Sequence, residues 1–135
     1  MKVFKRMIIT LFVTIFFFSM VMTIKAGSPD TEAAKMHAQS MMEEAEQMMS
    51  HGDQGHLDTM MQHAAAMIKH AKEAIEAIPP DNMHGKEAEE HLKEAMDHAE
   101  EAIGRGRNGN LEMAMAHANK AMAHARQGNQ HAQQM

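Results

Sequence analysis

The 135-residue chain has no cysteine, tryptophan or tyrosine and only three prolines. Without thiols there is no disulfide framework, no thiolate zinc or iron–sulfur site, no haem attached through C-x-x-C-H and no lipid-modified cysteine. Any metal chemistry therefore falls to His, carboxylate or Met. Aromatic rings are equally scarce, since all five phenylalanines (Phe4, Phe12, Phe16, Phe17, Phe18) precede Ser19. The remainder offers no ring on which a base could stack. Basic charge is short as well: four of the 13 Lys and Arg lie before Gly27, leaving nine against 18 acids, a formal charge of −9. With no basic face to neutralise phosphates, nucleic-acid binding is disfavoured, and an acidic chain attracts cations instead.

What is present begins with a leader. Lys2, Lys5 and Arg6 precede an apolar run from Met7 to Ile24, broken only by Thr10, Thr14, Ser19 and Thr23. This pattern predicts a secretory signal peptide. At about 1.5 Å per residue the run barely reaches across the roughly 30 Å hydrocarbon core of a membrane. Cleavage is expected after Ala26, giving a signal peptide over residues 1–26 and a periplasmic or secreted domain over 27–135 with no membrane attachment. An uncleaved anchor is the alternative, and it too leaves the domain outside the cytoplasm.

The rest is punctuated only at Gly52-Asp53-Gln54-Gly55, Pro79-Pro80-Asp81-Asn82 and Gly104-Arg105-Gly106-Arg107-Asn108-Gly109-Asn110. The segments between them, about Asp30 to His51, Gln54 to Ile78, Met83 to Ile103 and Leu111 to Gln127, are rich in Ala, Met, Glu, Lys and Gln, which favour helix. Ser28-Pro29 and Asn110 suit helix starts; Gly52, Gly104 and Gly128 suit helix ends. No β-branched alternation predicts a strand. A seven-residue unit recurs in His63-Ala64-Ala65-Ala66-Met67-Ile68-Lys69, His91-Leu92-Lys93-Glu94-Ala95-Met96-Asp97 and His117-Ala118-Asn119-Lys120-Ala121-Met122-Ala123. Apolar residues hold its second, fifth and sixth positions, an arc of about 100° at about 100° per residue. Four antiparallel helices with short loops can bury such stripes. The expected fold is all-α, an up-down-up-down four-helix bundle. Sliding the sequence by 54 residues lays His37 on His91, His63 on His117, His70 on His124, Leu57 on Leu111 and Gly55 on Gly109, so the bundle reads as a duplicated helical hairpin.

Histidine carries the functional argument. Nine of the 11 fall into triplets of identical spacing, His56/His63/His70, His84/His91/His98 and His117/His124/His131, and the first helix has His37/Glu44/His51. Seven residues make two turns, so members of one column stand about 10.5 Å apart, too far to share an ion. Ligands must come from neighbouring helices or from i, i+3 and i, i+4 partners. Each His sits at the edge of the apolar arc, so columns should meet along alternate helix seams. Expected pairs are His51 with His56, Glu44 with His63, His37 with His70, His98 with His117 and His91 with His124, with His84 and His131 at the far end. In a bundle of opposite hand the second and third helices, and the first and fourth, would pair instead. Imidazole with carboxylate suits Cu(II) first, then Ni(II) or Zn(II), and not calcium. Glu87 beside His91 and Glu94 beside His98, at i, i+4, could complete the sites. Met41, Met60 and Met67 follow His37, His56 and His63 by four residues and Met113 precedes His117 by four, leaving Cu(I) open through thioether, although core packing is the simpler role for Met.

Competing readings are a pH-responsive bundle without metal and a structural or chaperone-like helical module with a Met-rich adaptable surface. Catalysis has no foothold: the sequence contains no H-E-x-x-H, no E-x-x-H, no phosphate loop and no nucleophile elbow. The expectation is a monomeric binder of metal ions, not an enzyme.

The units from His63 to Ala71, His91 to Ala99 and His117 to Ala125, with the leader, the four segments and the turns at Gly55-His56 and Gly109-Asn110, resemble the secreted small metal-binding protein family. The resemblance implies a periplasmic four-helix bundle that scavenges or buffers several divalent ions, copper prominent among them. It carries a ligand role onto His37, His63, His70, His91, His98, His117 and His124. The chain departs from the family pattern in being poorer in His, far richer in Met, and in having Glu44 where a His would continue the column.

Overall fold

The computed structural model describes residues 30–135, which form four helices with no strand among them: α1 (Thr31–Asp53), α2 (Leu57–Ala77), α3 (Met83–Arg107) and α4 (Leu111–Gln133). The expected signal peptide, its cleavage after Ala26 and the Ser28-Pro29 helix start lie outside the described residues. The cap of α1 is Asp30, which is extended and whose Oδ1 accepts from the backbone N–H groups of Glu32 and Ala33 at 3.1 and 3.2 Å. Asn82 caps α3 in the same way through Gly85 N (2.9 Å), and Asn110 caps α4 through Met113 N (3.0 Å), as the latter's sequence position predicts.

Each helix packs against two others. α1 touches α2 and α4, and α3 touches α2 and α4. The N–H of Asp30 donates to Ala77 O at 2.8 Å, joining the start of α1 to the end of α2. Near the opposite ends of their helices, Gln133 Nε2 of α4 donates to Lys35 O of α1 at 3.2 Å. No described helix is long and apolar enough to cross a membrane.

The core is mostly Ala, at the second and fifth positions of the repeat, with Met41, Met48, Met60, Met67 and Leu92 as its largest fully buried side chains. Ala brings helices close but buries little area, so Met and Leu supply most of the hydrophobic stabilisation. The sixth position lies nearer the rim: Ile68 is 9% exposed, and Met96 and Met122 are only partly buried.

The two hairpin turns match across the 54-residue interval. Gly55 (φ 73°) and Gly109 (φ 71°) both take the left-handed conformation that only glycine adopts without strain. His56 N–H donates to His51 O (2.9 Å) and Asn110 N–H to Arg105 O (3.0 Å), while Gly55 and Gly109 donate to Gly52 O (2.9 Å) and Gly106 O (2.8 Å). This is the paired bonding that closes a helix with a glycine just past its end. These turns correct the expected helix ends. Gly52, Gly104 and Gly128 lie inside helices, and α3 and α4 run on to Arg107 and Gln133. Gly128 is there for closeness: a methyl on it would stand 3.1 Å from Leu92 Cδ2 and 3.4 Å from the Leu92 backbone nitrogen. At Gly52 the same space is filled by the Met115 thioether, with Met60 Sδ beside it at 3.2 Å. Gly104 faces open space, so nothing in its surroundings requires glycine.

Candidate metal centres

Every His except His56 immediately precedes a buried residue (Ala38, Gly52, Ala64, Ala71, Gly85, Leu92, Ala99, Ala118, Ala125, Ala132), which fixes each ring at the rim of the apolar stripe. Rings from facing helices therefore meet at a seam instead of pointing into the core or away from the bundle. The rings sit on the α1/α2 and α3/α4 seams, so of the two pairings open to the sequence the structure adopts the first. The α1/α4 seam holds amide contacts instead, such as Asn129 Nδ2 to Gln39 Oε1 at 3.5 Å.

All five expected pairs meet. His51 Nδ1 and His56 Nδ1 are 3.5 Å apart, and His63 Nδ1 donates to Glu44 Oε2 at 2.7 Å. Ring centroids of His37 and His70 are 5.9 Å apart, those of His91 and His124 5.8 Å, and those of His98 and His117 5.7 Å. His84 and His131, placed only at the far end from sequence, also face each other, at 6.1 Å.

Three of these pairs share a carboxylate. Glu73 Oε2 lies 3.2 Å from His37 Nδ1 and 3.1 Å from His70 Nδ1. Glu87 Oε2 is 3.1 Å from His84 Nδ1 and 3.0 Å from His131 Nδ1. Glu94 Oε2 is 3.3 Å from His91 Nδ1 and 2.8 Å from His124 Nδ1. In each group the three donor atoms lie within 4.8 Å of one another, an arrangement that can hold a metal ion. The acids serve different rings from those expected. Glu87 attends His84 and not His91, and Glu94 attends His91 and not His98, because i, i+3 neighbours on the seam side of α3 lean together across the same gap. Glu73 was not foreseen at all. Part of its signal was in the sequence: H-x-x-E recurs as His70/Glu73, His84/Glu87, His91/Glu94 and His98/Glu101, of which the first three converge with a facing ring.

The electrostatics suit cation uptake. The rings of these three groups are between about a quarter and two-fifths exposed, 26% at His37 and 38% at His84, so water can reach an ion and fill its open positions. Although each residue is partly exposed, Nδ1 of His117, His124 and His131 is itself buried and makes no hydrogen bond. For His124 and His131 a carboxylate oxygen is close, but off the line of an N–H bond, so proximity there is not a hydrogen bond. Buried polar atoms without partners are uncommon, and a shared ion would satisfy them. His98 is held below the ordinary histidine range, first by partial burial, then by the Lys120 cation and by His124 and His117, against a weak opposing effect of Asp97. The shift favours the neutral ring, the form a metal requires.

The thioethers are arranged differently. Met41, Met60 and Met67 are sealed in the core, whereas Met113 is 40% exposed.

No curated protein sequence matches the chain. A family model described as small metal-binding protein matches residues 1–128. The match takes in α1, α2 and α3, α4 as far as Gly128, and every paired imidazole described above except His131, and by it the chain belongs to the small metal-binding protein family.

Proposed function

We propose that the protein is a periplasmic buffer or scavenger of divalent transition metals, copper foremost, which it holds at several shallow sites between helices. In this reading residues 1–26 direct export and are removed, and residues 27–135 act as a monomeric up-down-up-down bundle. The end-to-end contacts of neighbouring helices support that course, and the family match, which starts at residue 1, includes the apolar leader. The ligands are His37, His51, His56, His63, His70, His84, His91, His98, His117, His124 and His131, with Glu44, Glu73, Glu87 and Glu94 as carboxylate partners. Cu(II) ranks first because it heads the usual affinity order for nitrogen and oxygen donors, with Ni(II) and Zn(II) behind it. The observation that carries the proposal is the set of three carboxylate-bridged imidazole pairs, with buried, unbonded ring nitrogens on α4. Cu(I) taken by thioether would meet sulfur at exposed Met113, since Met41, Met60 and Met67 are closed off.

The partner-binding reading rests on exposed Met36 (60%), Met83 (70%) and Met113 (40%). Met36 lies in the second turn of α1 and Met83 and Met113 in the first turns of α3 and α4, so the exposed thioethers are spread over three helices, whereas three groups of His and Glu donors converge, which favours the metal reading. Calorimetric titration at pH 7.5 tests it. More than one Cu(II) should bind per chain, and replacing His63 and His117 together by Ala should remove part of that stoichiometry while the helical signal persists. Unchanged stoichiometry would refute these sites.

A further inference from the structure

The two histidine seams are not equivalent. Along α3/α4 six imidazoles form an unbroken zigzag. Successive ring centroids are 6.1 Å apart from His84 to His131, 5.6 Å on to His91, 5.8 Å to His124, 5.6 Å to His98 and 5.7 Å to His117. Every step crosses from one helix to the other. The cause is the heptad: rings on one helix are about 10.5 Å apart, and the facing helix sets its own rings about halfway between them. Each inner ring therefore faces two rings of the partner helix. On α1/α2 the ladder stops. His56, His51 and His63 follow one another at 5.8 and 5.1 Å, and His37 faces His70 at 5.9 Å, but no described ring pair links these two groups. At the gap stands Glu44, the position that becomes His98 one 54-residue interval later, and its carboxylate is occupied by His63 at 2.7 Å.

We propose that the α3/α4 seam is a transfer rail, along which a bound divalent ion passes between bundle ends inside the protein by exchanging one imidazole at a time, whereas α1/α2 holds its ions in place. This rests on the reading that seam imidazoles bind metal ions. The in-register pairs His84/His131, His91/His124 and His98/His117 alternate with the offset pairs His91/His131 and His98/His124, and the two sets share rings. An ion held by His84 and His131 takes a nitrogen lone pair from His91 before releasing His84, so no step leaves it with fewer imidazole ligands than it had. Each imidazole is neutral before and after, and the ion keeps its oxidation state. Glu87 and Glu94 mark resting places at the first two rungs. The rung at His98 and His117 has no carboxylate in such a group, which makes it the rung that holds an ion least and the exit toward the turn between α3 and α4.

The test is exchange spectroscopy on the 15N-labelled imidazoles with about one fifth of an equivalent of Zn(II). The rail requires exchange between the His84/His131 and His91/His124 rungs at a rate unchanged by ten-fold dilution of the protein–zinc complex. His91→Gln, which removes two successive steps while leaving the His84/His131 and His98/His117 rungs, should slow exchange between those two rungs at least ten-fold with the helical signal intact. The His37/His70 pair should show no such transfer to His51/His56. An exchange rate that falls in proportion to dilution means hand-over between molecules, and exchange no faster than the loss of zinc to an excess of chelator means release and recapture; either overturns the rail while leaving metal binding standing. One rung shifting alone without exchange overturns it too. If no ring responds to zinc, the metal-binding reading fails and the rail with it.

Discussion

Two glycines two residues apart in α3 offer a test of the packing with the helix itself held constant. A methyl added at Gly104 meets nothing within 4 Å, whereas one at Gly106 would stand 2.7 Å from Met61 Sδ, 2.9 Å from Met61 Cγ and 3.3 Å from Leu57 Cδ1. Both substitutions gain the same benefit, since Ala is favoured over Gly within a helix by about 0.5–1 kcal/mol, less toward its end. Gly104→Ala should therefore stabilise the metal-free protein by about 0.5 kcal/mol, raising Tm by about 2–4 °C for a domain of this size. At Gly106 the neighbour includes Met61 Cγ, which cannot swing clear as a chain end can, so overpacking of about 1–3 kcal/mol should outweigh the gain. Gly106→Ala should thus lower Tm. Thermal melts followed by circular dichroism in excess chelator read both signs at once. Equal stabilisation by the two variants would mean that α2 does not press Met61 against α3, and the packing of the two hairpins would be wrong.

Other consequences follow from the sites and the core. Glu94→Gln removes the oxygen shared by His91 and His124 and should weaken Zn(II) binding at that group by about 10–100-fold while leaving Tm of the metal-free protein nearly unchanged; competition with a chromophoric chelator checks it. Leu92 is fully buried against Gly128, and Leu92→Ala should cost about 2–5 kcal/mol in denaturant unfolding, near the top of that range if the Ala-rich surroundings cannot close on the cavity. For His98 the folded ring titrates below its unfolded value of about 6.5, so the unfolded chain binds more protons in between. The stability linked to this ring is full above about pH 6.5 and is lost as pH falls through its folded value. His98→Asn should flatten part of the acid-side loss measured in chelator, and an unchanged pH profile would remove His98 from the account. Copper at about 100 times its Kd should add about 2.7 kcal/mol per site to stability, visible as a rise in Tm.

Much of the site was legible in the sequence because a heptad carries its own geometry. His at the edge of an apolar arc can face only a seam, and the residue counts from each turn set which rings share a level. The sequence left open which seams would pair, since that depends on how the helices pack, and the structure puts the rings on α1/α2 and α3/α4. The acids were harder. Lone Glu residues on a helix rim are usually solvated, and whether Glu87 turns to His84 or to His91 depends on which side of α3 the facing helix lies. The helix ends misled for a physical reason: glycine ends helices when it takes positive φ, as Gly55 and Gly109 do, but it also lies inside them where another helix needs the space, as Gly128 does for Leu92.

The central claim is that rings on different helices grip one cation. X-ray absorption at the copper edge, on protein loaded with one Cu(II) per chain at pH 7.5, counts imidazoles through their characteristic multiple scattering. Two imidazoles with one or more oxygens per ion, falling to one imidazole when the α4 partners His117, His124 and His131 are replaced and the ions are confined to α3/α4 by removing the α1 and α2 rings, is the predicted result. A spectrum of one imidazole or none in the unmodified protein, with water oxygens completing the shell, would contradict it.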